Sequence, residues 1–174
     1  MATLASAAAS PGRREPAQIA PDRVERLLGV LTIVLLGFVL AALSRGAAQW
    51  GTLPWTLWLH LATMITTLAL TPAVLWMRRG TRLHRWLGYA WVSALALTAI
   101  DSFALRFTNS GRFSLIHVLS VVVLVALPFL VLTARRHDHK RHRRIVRGLV
   151  IGALLTAGFF TFPFHRLLGG WLFG

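Results

Sequence analysis

Apolar residues run almost unbroken through five stretches, roughly 27–43, 53–77, 86–105, 113–134 and 145–168, and polar residues gather between them. Each stretch is close to the roughly 20 residues that a helix needs to cross the hydrocarbon of a bilayer. None alternates with the period of two that marks a barrel strand. Lipid offers no partner to an unpaired backbone group, so all five are predicted to be transmembrane helices. The expected fold class is therefore all-α, a polytopic membrane protein.

Polar marks inside this pattern recur. His60, Pro72, Arg78-Arg79 and His84-Arg85 are followed, about 57 residues later, by His117, Pro128, Arg135-Arg136 and His142-Arg143. A helical hairpin is thus predicted to repeat, over about 54–105 and 112–168, to make a four-helix core with pseudo-twofold symmetry about the membrane normal. The helix at 27–43 stands outside the repeat and is expected to brace the core. Residues 1–22, rich in Ala, Pro and Arg, read as a disordered cytoplasmic tail, and 23–174 as a single transmembrane domain. The first helix is too long for a removable signal.

Composition agrees: at 56% hydrophobic and 14% charged, the chain has too few charges to cover a soluble globule. The net charge of +14 would suggest a nucleic-acid partner in a soluble protein, but the Lys and Arg residues fall in the tails and connections. No soluble domain is left to carry a groove, so nucleic acid is excluded as the expected partner. Fifteen of the 19 basic residues lie in the amino-terminal segment through Arg26, in 78–85 and in 135–147. By the positive-inside rule these segments are cytoplasmic, the carboxyl terminus lies outside, and the expected location is the bacterial inner membrane. Anionic lipids at the cytoplasmic face are the expected partners of these basic segments. Trp50, Trp55, Trp58 and Trp171 mark the outer boundary, and Trp76 and Trp86 the inner one.

Cysteine is absent, which removes thiolate metal sites, iron–sulfur clusters and covalent haem attachment, leaving histidine as the soft ligand. The repeat sets His60 level with His117 near the outer face and His84 level with His142 near the inner one. At 1.5 Å per residue the two levels are on the order of 25 Å apart. Two imidazoles facing each other across a bundle satisfy the axial positions of a haem iron, and the cofactor supplies the other four ligands. A tetrahedral zinc site would need two more protein ligands at the same level.

His60, Thr63, Thr67 and Thr71 form one helical stripe, and His84, Gly88, Trp91, Leu95, Thr98 and Ser102 another, both expected to face inward. Gly88 and Gly148 are expected to leave room beside the inner histidines. His137 and His139 read as members of a solvated loop, and His165 as ambiguous. Asp101 is the one acidic residue predicted inside a helix. Open to it are proton relay, bonding of a quinone or substrate, pairing with a histidine, or an ion pair with Arg106.

The segment from His60 to Leu168, with its HRWLG, FSLIHVLS, ARRHDHKRHRR and RGLVIGALLTAG stretches, resembles an uncharacterised bacterial family of multi-pass membrane proteins catalogued as domain of unknown function 2306. That resemblance brings no settled activity. The helix and histidine arrangement also looks like the two-haem transmembrane cytochromes b. Those proteins hold one haem between the first and third helices of a four-helix core and another between the second and fourth, which implies His60 with His117 and His84 with His142. Their paired-histidine HSxHSWLG stretch is absent here.

The expected function is transmembrane electron transfer by one or two haem b groups, between a quinol or small reductant and an acceptor on the other face, as a transmembrane oxidoreductase. Two competing readings are a non-enzymatic accessory or assembly subunit of a respiratory complex and a small ion or metal transporter.

Overall fold

The computed structural model describes residues 20–105, 115–163 and 166–174. The tail through residue 19, Arg106 and His165 lie outside the described residues. Within them the chain is helical and contains no strand. The order is α1 (Arg23–Arg45), a 3-10 turn (Ala47–Thr52), α2 (Trp55–Trp76), α3 (Arg82–Ala104), α4 (Leu115–Arg135) and α5 (His139–Leu149). α5 continues through a π segment (Val150–Thr156) into α6 (Ala157–Phe159), and α7 (Leu167–Phe173) follows.

Four helices are long and apolar enough to cross a membrane: Arg23–Arg45, Trp55–Trp76, Arg82–Ala104 and, within α4, His117–Arg135. Their outer faces carry exposed Val30, Val34 and Phe38 on α1 and Val118, Val122, Val125 and Phe129 on α4, an apolar surface suited to lipid. The protein is a helical membrane protein. α5 opens on the basic run HKRHRR, which shortens its apolar part.

The helices pack in sequence order. α1 lies on α2, α2 on α3, α3 on α4 and α4 on α5, and α1 also meets the π segment and α7. α1 therefore sits between α2 and the last helical elements. At Gly29 a Cβ would stand 2.5 Å from the Trp76 indole, so glycine lets α1 and α2 close up there. Gly46 gives the Trp171 ring the same clearance at the other end. Trp171 Nε1 then donates to Gln49 Oε1 at 2.9 Å, and Arg45 donates to the Leu172 carbonyl.

Between α2 and α3 the two polar stripes meet. The hydroxyls of Thr63 and Thr98 are 2.9 Å apart, and Trp91 Nε1 donates to Thr71 Oγ1 at 2.9 Å. Thr67 and Thr71 turn their hydroxyl hydrogens onto carbonyls one turn back in their own helix, as buried hydroxyls must when no water reaches them. On the far side of α3, Ser102 and Ser120 of α4 approach to 2.5 Å.

One end of the bundle is closed by charge. Asp22 caps α1, accepting from the Glu25 backbone at 3.0 Å while the Glu25 carboxylate accepts from Asp22 N–H at 3.2 Å. Glu25 is also an acidic residue inside a helix, so Asp101 does not stand alone in that respect, and it is only 1% exposed. Arg143 grips it with two bonds of 2.7 and 2.8 Å, Arg79 pairs with it, and Arg147 lies 3.4 Å away. Arg79 and Arg143 also donate to the Ala20 carbonyl, so the chain just before α1 is tied to the turn after α2 and to α5.

Replacing Glu25 with Ala removes the buried carboxylate that Arg79, Arg143 and Arg147 share and leaves Asp22 as the carboxylate beside Arg143 and Arg147. The expected loss is about 3–5 kcal/mol, read as a lower unfolding temperature of the detergent-purified protein. A change too small to detect would mean that the cluster does not hold the bundle.

Candidate functional site

The four candidate histidines lie at opposite ends of α2 to α5. At the Glu25 end, Thr81 caps α3 and its hydroxyl accepts from His84 N–H at 3.1 Å, which fixes His84 one turn into the helix. Asp138 caps α5 in the same way, accepting from Arg141 N–H at 3.1 Å, and His142 follows on the next residue. His84 and His142 are thus each placed by a capped helix start.

His84 and His142 are both half-buried, and each lies near Arg79. His84 Nδ1 is buried and has no hydrogen-bond partner. His142 Nδ1 is 3.3 Å from the Leu130 carbonyl. A carbonyl only accepts, so this nitrogen carries the proton and Nε2 keeps its lone pair. Gly88, one turn beyond His84, is half-buried and has open space where a Cβ would stand. Gly148 has open space too, but it is exposed on the outer face, so the room it leaves is not beside His142 in the interior.

At the other end, His60 of α2 and His117 of α4 both rest against α3. His60 Nδ1 faces Asp101 Oδ2 at 3.7 Å, and both atoms are buried without a hydrogen-bond partner. His117 is buried with its ring against Phe103, the centroids 5.9 Å apart and the planes tilted by 47°. α2 and α4 are not closely packed on one another, nor are α3 and α5. Each histidine pair therefore sits on alternate helices, with α3 or α4 as the common neighbour. Of the partners open to Asp101, the structure supplies His60; Arg106 lies outside the described residues. No group of three or more His, Cys, Asp or Glu among the described residues is arranged to hold a metal ion.

Two features were missed in the sequence. The first is the cluster of Glu25 with Arg79, Arg143 and Arg147, which borders the inner histidines through Arg79. Its signal was the D-x-x-E spacing of Asp22 and Glu25, a capping box just before an apolar run. Burial opposes ionisation of Asp22, but the Glu25 backbone N–H and the Arg147 guanidinium together hold its carboxyl below the ordinary value. The second is His137. It adopts φ 56, Asp138 N–H reaches the Thr133 carbonyl at 3.0 Å and His137 N–H the Ala134 carbonyl at 3.2 Å. These are the two bonds of a Schellman motif, so His137 occupies the left-handed position that ends α4.

Replacing His137 with Gly is expected to raise stability by about 1 kcal/mol, the strain of a left-handed non-glycine residue. Thermal unfolding in detergent would register it, and a lower unfolding temperature would contradict this account of the turn. No protein-family model, curated protein or solved structure matches this chain.

Proposed function

We propose that this protein is a b-type haem electron carrier of the bacterial inner membrane, passing electrons between a quinol or small reductant and an acceptor across the bilayer. The observation that carries this reading is the inner pair. His84 and His142 come from alternate helices, are each half-buried near Arg79, and offer an unpartnered Nδ1 on one ring and an Nδ1 held 3.3 Å from the Leu130 carbonyl on the other. Metal-bound imidazoles characteristically have their second nitrogen held by a carbonyl or carboxylate. His142 meets that requirement through Leu130, while Asp101 stands 3.7 Å from His60 Nδ1.

In this reading His84 and His142 would hold one haem, and His60 and His117 a second. The group supplies one-electron redox chemistry at the iron when bound. The residues supply axial nitrogens, a low dielectric and fixed spacing. The reading includes a fifth crossing by α5, the π segment and α6, the repeated hairpins α2–α3 and α4–α5, and a cytoplasmic Glu25 end. The resemblance to two-haem cytochromes b and to the domain of unknown function 2306 family belongs to the same proposal. A quinone or a respiratory-complex subunit would then be the electron partner.

Visible difference spectra of purified variants test the ligands. His84→Ala and His142→Ala are each expected to abolish the same b-type signal while the protein stays inserted, and His139→Ala to leave the spectrum unchanged. Signals that survive both substitutions would rule out this pair as ligands. Topology has its own test. A reporter fused after Gly174 is expected to be active only outside, and one inserted beside Asp138 only inside; activity on the same side would remove the fifth crossing.

A further inference from the structure

We propose that Arg82, Arg85, Trp86 and Tyr89, on the exposed face of α3 at the Glu25 end, form a site for the headgroup of one anionic phospholipid. The inference stands apart from the haem reading. It localises on one helix face an attraction to anionic lipid that the sequence spreads over several basic segments.

The four residues share a face because of their spacing. Arg82 opens α3, and Arg85, Trp86 and Tyr89 follow at i+3, i+4 and i+7, which stacks them over the first two turns. All four are exposed, Trp86 by 67% and Tyr89 by 48%, and together they line an open groove of about 320 Å³. The arginines at this end are not all in the same state. Arg79, Arg143 and Arg147 are taken up by Glu25 and Asp22. Arg82 and Arg85 pair with no acidic side chain among the described residues. Two guanidinium groups on adjacent turns repel each other and together attract an anion. Their planar donors match the oxygens of a phosphate.

What lies further along the same face identifies the occupant. After Tyr89 the exposed positions on this side are Ser93, Leu97 and Ile100, on a helix long and apolar enough to cross a membrane. The order from the helix start is thus charge, then aromatic rings with a polar edge, then aliphatic side chains. A phospholipid presents the matching order of phosphate, glycerol ester and acyl chain, and Trp and Tyr rings settle at the level of the middle part. Free phosphate would engage the arginines alone and leave the rest of the face unmatched.

Binding of a fluorescent phosphatidylglycerol to the purified protein in mixed detergent micelles tests this. Unlabelled phosphatidylglycerol is expected to displace the probe, and phosphatidylcholine and inorganic phosphate to leave it bound. Arg82→Gln with Arg85→Gln is expected to weaken binding about 25-fold, roughly fivefold for each arginine held near a phosphate. Either substitution alone is expected to cost about fivefold, so the site can be tested even where the double variant is not recovered. Arg135→Gln with Arg136→Gln removes the same charge from exposed positions at the end of α4 and is expected to leave the affinity unchanged. Equal weakening by the two double variants would show a diffuse attraction and overturn the site. Displacement by phosphatidylcholine or by inorganic phosphate as effective as that by phosphatidylglycerol would overturn the assignment to an anionic lipid. Neither result bears on haem content.

Discussion

The buried carboxylate of Glu25 is the point on which the bundle depends. It belongs to α1, yet its guanidinium partners come from the turn between α2 and α3 and from α5, so one side chain joins the first helix to that turn and to α5. Removing a carboxylate from water is costly unless its charge is compensated and its lone pairs are filled, and here three arginines and the Asp22 backbone do both. The requirement runs in both directions. The arginines share this one buried carboxylate, so the cluster selects the arrangement in which α1 lies beside α2 and reaches α5.

From that end, polar contacts continue through the interior along α2 and α3. The Thr71–Trp91 and Thr63–Thr98 bonds fix the rotation of these helices about their axes, because each hydroxyl or indole is at one angular position only. The same rotation that joins the threonine stripes turns His60 toward Asp101. In lipid, where apolar contacts between helices gain little over apolar contacts with chains, such bonds and close glycine contacts carry much of the specificity of packing. The positions of the histidines are thus consequences of how the helices interlock.

Much of this was legible in the chain because it is periodic. Thr63, Thr67 and Thr71 recur at helical spacing, as do Trp91, Leu95, Thr98 and Ser102, and both sets are buried as that spacing predicts. What could not be read was pairing between distant residues. Glu25 meets Arg143 across 118 positions of sequence, and nothing local distinguishes Arg143 from the five other basic residues of RRHDHKRHRR that do not meet Glu25. Asp101 could be singled out, but its choice between a histidine and other partners depends on how α3 is rotated against α2. His137 looked like one more solvated histidine, because a left-handed helix end without glycine leaves little mark in a basic loop. The π segment Val150–Thr156 follows Gly148 and contains Gly152, and an extra residue in a helical turn has no periodic signature that an apolar run would reveal.

The account comes to a single chemical claim: that the two histidine levels are built to hold haem and not only to pack. Its most direct measurement is the haem content of the unsubstituted protein, produced with ample haem, purified in detergent and assayed by its reduced-minus-oxidised visible spectrum against protein concentration. The account predicts b-type haem bound in fixed ratio to the chain, one for each histidine level. A folded, haem-free protein would contradict it and leave the histidines as packing or ion-handling residues of an accessory subunit or transporter.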